Sequence, residues 1–155
     1  MIERVIQPAV ESWLTECRKV WERASISIPK SFVNDFKQGE EYVGRDMAAN
    51  LSLEIEPSYL RRWSSAFACL SIENMDKWIW VFLRGNLLDR LEADVCVPLV
   101  ASHLLRCPET KLSSRFDCGE LSVLSKYFEL IASLRGNSLE VELAAIAIVE
   151  AAKRE

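Results

Sequence analysis

A single histidine, His103, is the sharpest shortage in this 155-residue chain. Any Ser-His or Cys-His nucleophile scheme, and any ordinary His-containing zinc site, would have to use that one residue. Glycine and proline are scarce, five of each, which excludes collagen-like and low-complexity classes. No unbroken apolar run approaches the ~20 residues that a membrane span needs, so no membrane association is expected. The start, Met-Ile-Glu-Arg-Val-Ile-Gln-Pro, carries an acid early and lacks the apolar stretch of a secretory signal. Cysteine is present but unpatterned: Cys17, Cys69, Cys96, Cys107 and Cys118 are an odd number without a C-x-x-C pair. Unpaired, mostly buried thiols in a reducing compartment fit that better than a disulfide framework, and a cytoplasmic location is the expectation.

A basic excess is missing too. Nineteen Lys and Arg against 23 Asp and Glu leave a net charge of −4. A sequence-independent nucleic-acid binder draws its affinity from neutralising phosphates, and the longest cation runs here are pairs, Arg18-Lys19, Arg61-Arg62 and Lys153-Arg154. Arg61-Arg62-Trp63 is the only basic-aromatic cluster. Trp63 follows Tyr59 and Leu60 on one helical face, so it reads as core with the arginines in water, and no nucleic-acid partner is expected. Phosphate-binding glycine loops, the G-x-S-x-G elbow, H-E-x-x-H and the EF-hand loop are all absent. Cys96, His103 and Cys107 lie seven and four residues apart, but a metal would need a fourth ligand such as Cys118, and the spacing is not that of known zinc sites. No metal and no cofactor are expected. The carboxylates at Glu40-Glu41, Glu54 with Glu56, and Asp89, Glu92 and Asp94 read as solvated charge.

Against these shortages stands a chain that is 50% hydrophobic with five tryptophans, enough to bury a sizeable core. Ile2, Val5, Ile6, Ala9, Val10, Trp13, Leu14, Cys17, Val20, Trp21 and Ala24 recur at spacings of three and four, one face of a helix. Pro8 interrupts it on the polar side, and the regular helix is expected to begin there with Pro at its first position. A second helical stretch opens near Pro29 with Phe32, Phe36, Val43 and Met47, weakened by Gly39 and Gly44. Leu51 to Pro57 alternates with a period of two and reads as an extended connector. Pro57 starts a third helix through Phe67, and Asn74 is the expected cap of a fourth ending at Gly85-Asn86. Pro98 kinks or restarts the next helix before His103. Residues 107–119 read as one long polar loop. Leu121, Leu124, Phe128, Ile131 and Leu134 mark a further helix, and the last follows Asn137, where Asn-x-x-Glu140 imitates a capping box. The expected fold is all-α, six to seven helices in stacked antiparallel hairpins, either a short HEAT-like array or an irregular bundle, in a single domain over residues 1–155.

An internal similarity supports the hairpins. Leu83-Arg-Gly-Asn86 recurs as Leu134-Arg-Gly-Asn137, and the same offset of 51 aligns Leu70-Ser71 with Leu121-Ser122, Leu88 with Leu139 and Ala93 with Ala144. Eight identities over positions 70–93 exceed the roughly one or two expected by chance. Residues 57–106 and 108–155 are then two copies of one αα-hairpin, each with a glycine ending a helix. Gly-Asn is also a common stop and start between helices, so coincidence stays open beside duplication.

For function, the pattern points to binding rather than catalysis. The expectation is a non-catalytic protein-binding module, in its most specific form an immunity-type inhibitor whose acidic surface neutralises a bacterial toxin domain. A helical adaptor or chaperone subunit is the alternative, and an enzyme of unrecognised chemistry the third. Trp78 and Trp80 stand about 200° apart on a helix, so either that helix is buried all round or one tryptophan faces outward. The outward case makes Trp80 the candidate anchor, with Asp89, Glu92 and Asp94 as its charged rim. By contrast, the last helix has Val141, Leu143 and Ala145 where the first copy has Arg90, Glu92 and Asp94, and it is expected to be the buried partner.

Overall fold

The computed structural model describes residues 2–26, 41–50, 52–67, 69–88, 96–105, 112–135 and 139–153. Among them every regular element is a helix: α1 (Ile2–Ile26), α2 (Glu41–Ala49), α3 (Pro57–Phe67), α4 (Ile72–Leu88), α5 (Cys96–Leu105), α6 (Leu112–Arg115), α7 (Cys118–Arg135) and α8 (Leu139–Lys153). The protein is all-α. Two compact units divide it, one of Met1–Lys19 with Val100–Glu155, the other of Val20–Leu99.

The contiguous unit is built on aromatic rings. Helix α3 packs on α2 and on α4, and the ring of Trp78 lies 5.8 Å from Trp63, edge to face, and 6.1 Å from Trp21. Phe67 meets Phe82 at 4.8 Å. Such tilted and edge-on pairs are the favoured aromatic geometries. Trp63 places its indole N–H on Asp46 Oδ2 at 2.8 Å, while Asn50 Nδ2 donates to the other oxygen at 3.0 Å. The connector after α2 is turned at Leu53 and Glu54 rather than extended throughout: Glu54 N–H donates to Ser52 Oγ, and Leu53 is buried. Arg84 spans back from α4 to the Leu53 carbonyl at 2.8 Å and to Glu54 at 3.0 Å.

In the other unit α7 packs along α8, and α6 also meets α8. Helix α1 is tied to α7 through Trp13, whose indole N–H donates to the Val123 carbonyl at 2.9 Å and whose ring lies 5.1 Å from Tyr127. Helix α7 opens with a reciprocal cap, Glu120 N–H on Asp117 Oδ1 at 2.7 Å and Asp117 N–H on Glu120 Oε1 at 3.0 Å. This Asp-x-x-Glu box satisfies two of the four orphan donors of a helix start.

Several local expectations are corrected. Helix α4 does not stop at Gly85-Asn86 but runs through both, and both are buried. A glycine in a helix costs about 1 kcal/mol relative to alanine, whereas burying Phe82 alone returns about 1.5–3 kcal/mol. Packing therefore overrides the stop signal. The cap of α4 is Ser71, whose Oγ accepts from Asn74 N–H at 3.2 Å, so Asn74 sits inside the helix. The polar loop at 107–119 contains α6, with Leu112 and Phe116 buried. Pro8 lies within α1 on its exposed side. Gly136, Asn137, Phe32, Phe36 and Gly39 lie outside the described residues.

Candidate partner-binding surfaces

Trp80 is not a surface anchor. It is fully buried, as is Trp78, at 0% exposure each. Residues 78 to 83 are all buried, so this stretch of α4 is buried all round, and its two tryptophans on opposite sides both serve the core. Asp89, Glu92 and Asp94, the expected rim, lie outside the described residues.

The contrast drawn between the two halves is also corrected, at the last helix. Helix α8 turns Ala144, Ile148 and Ala151 inward, yet leaves Leu143 45% and Ile146 55% exposed. Its sequence explains this. Leu143–Val149 is apolar without interruption, and one helix face can bury only part of such a run. Leu143, Ile146, Ala147 and Glu150 stand at i, i+3, i+4 and i+7, an outward stripe of two exposed aliphatics, a half-buried alanine and an exposed acid.

A cleft of about 310 Å³ opens between α1 and α7, lined by Ala9, Ser12, Trp13 and Glu16 from α1 and by Lys126, Glu129 and Leu130 from α7. Lys126 Nζ reaches Glu16 Oε1 at 2.9 Å, with both side chains partly in water. The Trp13 N–H is committed to Val123, so Trp13 offers the cleft ring carbon rather than a donor. The cleft is therefore amphipathic, with a carbon floor and charged lips.

His103 is buried and takes Arg115 Nη2 at 3.1 Å from its Nε2. A guanidinium has only donors, so Nε2 is the acceptor and the ring proton belongs on Nδ1. The pair ties α6 to α5. Among the described residues no group of three or more His, Cys, Asp or Glu is placed to hold a metal ion. Cys17, Cys69 and Cys118 form no disulfide, and the side chains of Cys96 and Cys107 lie outside the described residues. Glu54 holds Arg84, and Asp46 holds Trp63 and Asn50, with Arg62 at 3.7 Å. These acids act as clamps within the fold.

Sequence reasoning missed the cleft because Ser12 and Lys126 are brought together only by folding. The α8 stripe has a visible signal in the unbroken apolar run Leu143–Val149, but such a run does not tell which of its residues face the core. Against known protein families, characterised proteins and solved structures, the chain finds no match.

Proposed function

We propose that this chain is a non-catalytic protein-binding module whose contact face includes the outer stripe of α8. The carrying observation is the exposure of Leu143 and Ile146 one helical turn apart. With 45% of Leu143 and 55% of Ile146 in water, each leaves about half of the roughly 1.5–3 kcal/mol of full burial unrealised, about 0.7–1.5 kcal/mol apiece, which a partner groove recovers. Anchors at i, i+3, i+4 and i+7 are the pattern by which one helix is read by a groove. The net charge of −4 suits a basic partner, and an inhibitor of a basic toxin domain such as a nuclease is the most specific form of the proposal.

The test is to identify the protein encoded beside this gene, co-purify the two, and titrate the Leu143→Ala/Ile146→Ala double variant. Affinity is expected to fall about 10- to 100-fold, since each half-exposed anchor is worth about 0.7–1.4 kcal/mol, with the melting temperature little changed. Undiminished affinity of the folded variant removes α8 from the contact face. For the toxin form, co-expression is expected to rescue growth of cells making the partner.

A further inference from the structure

We draw no further inference here: the strongest candidate, the buried His103 of α5 that accepts from Arg115 of α6 at 3.1 Å, is a tie within one unit of the fold, and nothing in the structure shows which other charged groups face its imidazole from the surrounding elements, so it carries neither a ligand site nor an acid-triggered release of α6.

Discussion

Trp80 and Ile146 exchange the roles that residue type suggests. Tryptophan is the favoured anchor of protein interfaces, yet Trp80 is entirely enclosed and Ile146 stands more than half in water. Truncating Trp80 to alanine is therefore expected to cost about 3–5 kcal/mol in urea unfolding, the range for emptying a packed aromatic site. Ile146→Ala should stay within about 0.5 kcal/mol, as exposed positions do. A small effect at Trp80 would contradict its burial. Periodicity could place Trp13, Trp21 and Trp63 in the core because each belongs to a stripe with polar residues opposite. It could not decide Trp80, because residues 78–83 have no polar side against which to orient the helix.

At the level of elements, the helices were legible wherever an apolar stripe alternates with a polar face, as in α1, α3 and α7. Their ends were less so, and caps show why. Asn74 and Ser71 are both good capping types three residues apart, and only the hydrogen bond of Ser71 Oγ to Asn74 N–H separates them. The Asp117-x-x-Glu120 box was present in the sequence but hidden inside a stretch read as loop. Asp117→Ala removes the acceptor of the 2.7 Å bond to Glu120 N–H and is expected to lower stability by about 1 kcal/mol. That corresponds to about 2–4 °C in melting temperature for a chain of this size. Asp117→Asn keeps an acceptor there and should recover most of the loss. Equal melting of the two variants would show that the box contributes nothing to the start of α7. Gly85 carries the complementary lesson: a glycine signal is local, and the burial that overrides it is not.

Across the whole molecule, the division into Val20–Leu99 and the discontinuous remainder follows neither the 57–106 nor the 108–155 segment marked by the internal similarity. No local pattern announces that Trp13 meets Val123, because hydrophobic periodicity tells which face is buried and not against what. The binding reading adds one property of the chain as a single charged body. With a net charge of −4 and a basic partner, association is expected to slow severalfold as ionic strength rises from about 10 mM to 150 mM, where the Debye length shrinks from about 30 Å to 8 Å. The dissociation rate, set by the aliphatic anchors, should scarcely change. Stopped-flow association at the two salt concentrations checks this, and a flat rate would mean that the partner is not basic.

The bond from Trp13 to Val123 spans 110 positions of the chain. Translation runs from the first to the second at roughly 5–20 residues per second, so the ribosome needs about 5–20 s to supply the carbonyl that the indole awaits. Throughout that interval residues 20–99 emerge as a contiguous stretch able to close on its own contacts, while the start of α1 remains an amphipathic helix with its principal partner unmade. The start of α1 is thus completed later than the stretch that follows it, and it is a part of the nascent chain that a holding chaperone would meet.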